Sequence, residues 1–247
     1  MAREDDELPV ELVDLGPGVL AGFTTRDGGV SRAPYATLDL GVAVGDDPRA
    51  VQDNRALVER WAGAPVAWSR QVHGREVALL DAVPAEPPEA DALVSTSGDL
   101  AVGVVVADCV PVLLADPVAG VVAAVHAGRR GLVAGVLQAA VGVMVDQGAA
   151  RERVRAAVGP AIAGASYEVP AALRDEVARA LPSTWSTTSW GTPSLDLPAG
   201  VRAVLEQEGV HRVWLSPRDT FTDDRLFSFR RAAVTGRFAG VVRPPAR

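Results

Sequence analysis

The sequence predicts an α+β fold, organised as one domain over residues 1–247, and three observations carry that expectation. Short β-branched runs crowd between residues 91 and 126, helix-like segments are spread among the other runs without strict βα alternation, and no long linker divides the chain. The one linker-like stretch, PAEPPEA (84–90), is short and lies between apolar runs of similar character, so it reads as a surface loop.

Taken in order, GVLAGFTTR (18–26) reads as a strand that runs into the turn-rich DGGVSRAPY. A helix follows in GDDPRAVQDNRALVERWAG: Asp46 or Asp47 can cap it, Pro48 suits its first turn and Gly63 ends it. PVAWSRQVH and REVALLD are strand-like and part at Gly74. ALVS, LAVGVVVA, VPVLLA and GVVAAVH are strands, the last two joined by the turn signal DPVAG into a hairpin. The spacing predicts a helix over 131–148, then a strand in RVRAAVG, a helix in PAALRDEVARAL and a Ser/Thr/Trp loop over 183–194. A helix in PAGVRAVLEQEG and strands in HRVWLS and GRFAGVVR complete the series.

Composition excludes several classes. Apolar residues make up 48% of the chain, ample for a core, while a net charge of −7 argues against a nucleic-acid partner. MAREDDELPV lacks the basic start and apolar stretch of a signal peptide, and no run approaches the roughly 18 residues needed to span a bilayer. These features point to a cytoplasmic protein with no membrane partner, and a single cysteine suits that reducing compartment. All 24 basic residues are arginine, which rules out a lysine Schiff base and a phosphate loop ending in Gly-Lys-Ser/Thr.

The rare residues carry the chemistry. Alone, Cys109 reads as a small core hydrophobe and His126 as a hydrogen-bonded core histidine. Together they end facing strands, and opposing 109 to 126 centres the turn between 117 and 118, inside DPVAG. His73, before a glycine in SRQVHGRE, supplies a third soft donor. Two imidazoles and a thiolate make an open tetrahedral zinc set whose fourth position is left to water or substrate. Copper accepts the same set when a weak axial Met is added, but Met1 and Met144 are the only methionines and Met144 lies mid-helix. His211 has no companion donor in sequence and reads as structural or exposed. Asp108, beside Cys109, is a catalytic candidate that could orient a histidine or handle a proton; the other reading is a turn aspartate.

SRQVHG, ADALVS, ADCVPVLLAD, VHAGRRG, GPAIAGASYEV and LFSFRR occur in that order and resemble the multicopper-polyphenol-oxidase or laccase-domain family. GFTTRDGGVS, LDLGVAVGDDPRAVQDNR and TGRF extend the likeness from about residue 18 to 240. That family has been reassigned as purine nucleoside phosphorylases with adenosine deaminase activity, and some bacterial members are described as peptidoglycan-editing factors. The resemblance implies a layered α/β/β/α fold with mixed sheets, a metal at His73, Cys109 and His126, and chemistry on a purine nucleoside with phosphate as co-substrate. It also implies that Arg26, Arg130, Arg230 and Arg231 bind substrate or phosphate, whose oxygens suit guanidinium forks. AGRRG opening a helix would add free N–H groups, and Tyr167 and Glu168 match the pattern as packing and site support. Arg129 stands where the family has tryptophan, so a flat apolar wall is exchanged for a charge.

Three other readings compete. Cys109 could act as nucleophile with His126 or His73 as base in an amidase, which would fit peptidoglycan-precursor editing. A multicopper oxidase would need many imidazoles, and three histidines do not supply them. A metal-stapled binding module would close the site, with Asp108 as a fourth ligand.

Overall fold

The computed structural model describes residues 8–246; Met1 to Glu7, most of the acidic opening read above, lie outside it. Its strands are β1 (Val10–Leu12), β2 (Leu20–Thr24), β3 (Val66–Ala67), β4 (Val77–Leu80), β5 (Ala92–Ser95), β6 (Ala101–Val106), β7 (Val110–Asp116), β8 (Val121–Ala127), β9 (Arg155–Val158), β10 (Trp185–Thr187), β11 (Pro193–Leu195), β12 (Arg212–Leu215) and β13 (Phe238–Arg243). Its helices are α1 (Pro48–Ala62), α2 (Arg129–Ala134), α3 (Val136–Asp146), α4 (Ala171–Ala180) and α5 (Leu197–Gln207).

Two mixed sheets face one another. The first runs β1-β2-β13-β6-β3, the second β12-β9-β7-β8-β5-β4, and β10 and β11 form a separate hairpin. The parallel pairs are β3 with β6, β4 with β5 and β9 with β12.

The side chains of β7 and β8 show why the layers stack this way. All positions of both strands are buried, so their sequences are apolar without alternation. Val112, Leu114, Ala123 and Val125 pack beneath α3 and α5, whereas Leu113, Val122 and Ala124 meet Phe23, Val102 and Val104 of the other sheet. Val58 and Ala62 of α1 cover the far side of the first sheet against Val66, Ala101 and Val241. The result is the α/β/β/α layering that the resemblance implies.

Local signals explain most boundaries. Asp47 caps α1 by accepting from Arg49 N–H at 2.9 Å, while Asp46 accepts instead from the Ser31 hydroxyl. Gly63 ends the helix in the left-handed conformation, φ 62°. The DPVAG turn closes the β7–β8 hairpin, its Asp116 accepting from the N–H groups of Val118 and Ala119.

Four expectations need correction. The helix over 131–148 is two helices that begin at Arg129, because Gly135 adopts φ 93°, which no continuous α-helix can hold. The 183–194 loop is a 3-10 turn at Pro182–Thr184 followed by the β10–β11 hairpin. The strands at PVAWSRQVH and REVALLD shrink to β3 and β4, and β1 was unforeseen.

Asp39 ties the segment before α1 to β13. Its Oδ1 accepts from the N–H groups of Gly41 and Arg237 at 2.9 and 2.7 Å, but buried Oδ2 has no partner. Burial raises its pKa from 3.8 to about 6 against those two lowering hydrogen bonds. A raised carboxyl favours folding when protonated, so its contribution is full below pH 3.8 and is lost as pH rises through about 6.

The stability of Asp39→Asn minus that of the wild type should therefore increase by roughly 1–3 kcal/mol between pH 4 and pH 7 in urea unfolding, then level off. A difference that is flat with pH would contradict the buried carboxyl. Limited proteolysis should nick the 84–90 loop without releasing a half that folds alone, because the interlayer core draws on strands from both sides of that loop. Recovery of two separately folding fragments would refute a single domain.

Candidate metal centre

The β7–β8 hairpin brings the first two donors together. Its register pairs Pro111 with His126, so the direct 109–126 opposition expected from sequence is displaced by two residues, with Cys109 just ahead of the strand. A two-residue displacement preserves side-chain parity, and both donors continue the rows that face the other sheet. A one-residue slip would have sent one of them to the opposite face.

His73 arrives on the connection between β3 and β4. It has φ 61° and Asp108 has φ 92°, and these are the two non-glycine residues with positive φ among those described. Such conformations cost about 1–3 kcal/mol and persist only where surroundings impose them. For His73 the imposing group is Asp91, a fully buried carboxylate. Its Oδ1 accepts from His73 N–H at 2.9 Å and its Oδ2 from the N–H groups of Val72 and Gly74 at 3.2 and 2.7 Å. The same Oδ1 lies 2.7 Å from His126 Nδ1, which must carry a hydrogen to donate. Nε2 of His126 is thereby the nitrogen left to bind a metal, once its proton is displaced. Burial works against ionisation of Asp91, yet the His126 hydrogen bond and the backbone donors hold it below its ordinary value.

One donor atom from each of His73, Cys109 and His126 lies within 4.8 Å of the others. Cys109 Sγ and His73 Nε2 are 3.9 Å apart, near the separation of about 3.6 Å set by a tetrahedral ion with bonds of 2.0–2.3 Å. The imidazole rings meet edge to face, 4.7 Å between centroids. Burial alone would raise the Cys109 thiol, but hydrogen bonds and charge from His126 and His73 bring it down to about 6, which favours the ligating thiolate. Burial likewise opposes charge on His126, whose hydrogen bonds to Asp91 and Cys109 raise it to about 9. His126 is buried, Cys109 half-buried and His73 exposed, so the triad opens to solvent on one side. The donor types, spacing and open side fit a metal with a free position.

Gly128 closes the inner wall. A Cβ there would come 2.9 Å from the His73 ring, 3.2 Å from Cys109 Sγ and 3.5 Å from the His126 ring. Gly131 is held similarly, its Cβ position 2.6 Å from the Gly74 carbonyl. The glycines of HAGRRG let α2 approach the donors.

The remaining sequence candidates are distributed around this core. Asp108 accepts from the Thr220 hydroxyl at 2.6 Å and from Arg230 N–H at 2.7 Å, tying two loops to the residue beside Cys109; the carboxylate that orients a histidine is Asp91. Arg130 donates to the Val72 carbonyl next to His73. Arg230 lies over the Tyr167 ring at 5.0 Å and donates to the Glu168 carbonyl. Arg26 lies 4.9 Å over Phe227, whose cluster includes Cys109, and donates to the Ala36 carbonyl. Arg231 spends its guanidinium on the carbonyls of Thr220, Phe221, Asp223 and Leu226. His211 is exposed, and Met144 is buried in α3.

Sequence reasoning assigned no role to Asp91, although its setting in ADALVS, an acid leading directly into Ala-Leu-Val, was a usable signal. Arg237 of TGRF was also passed over. Burial lowers its pKa, and Asp39, Asp108 and Cys109 oppose that shift, which places its charge beside the centre.

A family model described as multi-copper polyphenol oxidoreductase laccase matches residues 20–244. A Streptomyces griseus protein named purine nucleoside phosphorylase is 54% identical over 89% of this chain and 92% of its own length. A Streptomyces coelicolor protein of the same name is 52% identical over 93% and 97%. A crystal structure from Neisseria meningitidis superposes with a TM-score of 0.88 at 35% identity, covering 97% of this chain and all of that one.

Purified protein should hold about one metal ion per chain, and Cys109→Ala should lose most of it in elemental analysis. Asp91→Asn should lower metal affinity about 10–100-fold while keeping the far-ultraviolet spectrum of the wild type. Full metal retention by Cys109→Ala would remove the triad assignment.

Proposed function

We propose, from the premise that this chain belongs to the multi-copper polyphenol oxidoreductase laccase family, that it is a zinc-dependent purine nucleoside phosphorylase of the cytoplasm. Its substrates on this reading are adenosine, inosine and related nucleosides such as methylthioadenosine, with inorganic phosphate. The observation that carries the reading is a group of arginines beside an open three-donor centre. The Arg130 guanidinium is bonded beside His73 and that of Arg26 is one ring away through Phe227, while Arg230 is tied beside Cys109 by its main-chain N–H to Asp108 and lays its guanidinium over Tyr167. The names of the two Streptomyces relatives support the same reaction. Among the described residues no helix is long and apolar enough to cross a membrane.

Zinc in this triad would supply a Lewis acid with one position open to substrate or water. The chain's own residues do the rest. Arg26 and Arg130 hold phosphate through charge-assisted hydrogen bonds, in an orientation that faces the ribose. A phosphate oxygen bonds to C1′ as the C1′–N9 bond breaks and its electron pair leaves with the base. The proton lost by phosphate ends on the base, giving free purine and ribose 1-phosphate. Asp108 positions the loops carrying Thr220 and Arg230, and Arg231 holds the 220–226 loop in shape. Adenosine deamination, in which water replaces the C6 amine, is the second activity proposed for this centre.

A cysteine hydrolase is the second reading, favoured by the buried His126 imidazole beside Cys109. It separates cleanly from the first, since it needs no phosphate and would be destroyed by thiol alkylation of protein stripped of metal.

Inosine or adenosine consumption should depend on phosphate and yield ribose 1-phosphate. Arg26→Ala and Arg130→Ala should raise the KM for phosphate about tenfold or more, with a smaller effect on the KM for nucleoside. Arg231→Ala should chiefly lower the Tm. Absence of phosphate-dependent turnover of any purine nucleoside by zinc-loaded protein would overturn the function.

A further inference from the structure

We infer that the purine base is held outside the triad, stacked on the indole of Trp190 in the cavity that Trp190 and Phe221 flank, with the Glu168 carboxylate accepting an N–H from the base edge. This rests on the nucleoside reading above and adds to it a binding subsite and a residue that determines base affinity.

The cavity measures about 660 Å³ and is lined by Trp190, Phe221, Val169, Pro193, Glu168 and Arg230, among others. That volume lies in the range of small-molecule sites, and the lining joins apolar walls to the polar groups of Ser166, Glu168, Thr192 and Arg230. Glu168 and Arg230 give the cavity one charge of each sign, so it offers a purine N–H an acceptor without a net positive charge to draw phosphate in. The inner wall connects to the metal centre, because the main-chain N–H of Arg230 is bonded to Asp108, next to Cys109. A nucleoside whose ribose lies at the triad can therefore send its base toward Trp190.

Trp190 is unusual for an exposed aromatic. It is 50% exposed, yet nearly everything around it is fixed. Its Nε1–H donates to Glu168 Oε2 at 2.7 Å, which satisfies the one polar group of the indole and sets the ring's direction. It sits at the tip of the β10–β11 hairpin, which is cross-braced by the hydroxyls of Thr188 and Thr192 at 2.8 Å and by Thr192 N–H to Thr188 Oγ1 at 2.9 Å. Ser189 N–H adds a bond to the Ala165 carbonyl. Across the cavity, Asp219 accepts from the Ser166 hydroxyl at 2.6 Å and from Phe221 N–H at 3.0 Å, fixing both to one carboxylate. The Trp190 and Phe221 rings are tilted by 43° with centroids 6.3 Å apart, leaving the indole face uncovered by a parallel partner. A rigid aromatic face loses little conformational freedom when a planar ligand settles on it.

The test combines kinetics with direct binding, using full-length zinc-loaded protein, inosine and hypoxanthine. Trp190→Ala should raise the KM for inosine about tenfold or more while leaving the KM for phosphate and the kcat within about threefold, and Trp190→Phe should recover much of the loss. Glu168→Gln should alter the relative KM of inosine and adenosine. Inosine and hypoxanthine should quench tryptophan fluorescence of the wild type, and Trp190→Phe should remove most of that quench. Turnover by the wild type with an unchanged inosine KM in Trp190→Ala overturns the subsite and leaves the phosphorylase reading standing. Hypoxanthine quenching through Trp190 without any nucleoside turnover supports the subsite and overturns the phosphorylase reading. A wild type that neither turns over inosine nor is quenched overturns both.

Discussion

Asp91 is the constraint on which this structure turns. Its buried carboxylate accepts from three consecutive backbone N–H groups and from a histidine ring, so one charge is neutralised by four donors of two different origins. Isolated in an apolar core, that charge would cost several kcal/mol. With all four bonds formed it holds His73 in a left-handed turn that a side chain ordinarily avoids, and it chooses the tautomer of His126. Fold and chemistry share one group: the loop cannot relax without unpairing a buried carboxylate, and the histidine cannot turn without doing the same.

Around that anchor the donors come from elements with opposite tolerances. The β7–β8 ladder is rigid, buried on both faces and in fixed register, and it delivers Cys109 and His126 to one end of the interlayer space. His73 rides a connection that has no strand of its own. Gly128 and Gly131 reconcile the two by letting the start of α2 close on the donors without any side chain between. The arginines near the centre differ in what their guanidinium groups have left to give. Arg231 is committed to backbone carbonyls, while Arg130 uses one donor on Val72.

Much of this was legible in the chain. The hairpin and its turn, the ends of α1 and the clustering of His73, Cys109 and His126 could be read because each depends on local rules: turn chemistry, capping, and rare residues at strand ends. What escaped depends on distant partners. Asp91 looks like any acid at a strand start until the fold brings 72–74 and 126 to it. The displacement of the 109–126 pair follows from a turn that places its bend half a residue pair later than symmetry suggests. The division at Gly135 was hidden by apolar residues that continue helix-like on both sides. Arginine roles were the least readable, since a guanidinium bound to loop carbonyls and one facing a ligand are written with the same letter.

The position of β13 has a consequence for how the chain is made. It lies between β2 and β6, joined to each by an antiparallel ladder, although it follows both by many residues. A growing polypeptide that has already emerged through β12 still carries two open strand borders where the sheet is to be completed. Those borders are bare hydrogen-bonding templates in apolar surroundings, the kind of surface that captures neighbouring chains. The first sheet becomes continuous only when residues 238–243 insert between β2 and β6, so until that step both borders stay open to misassembly.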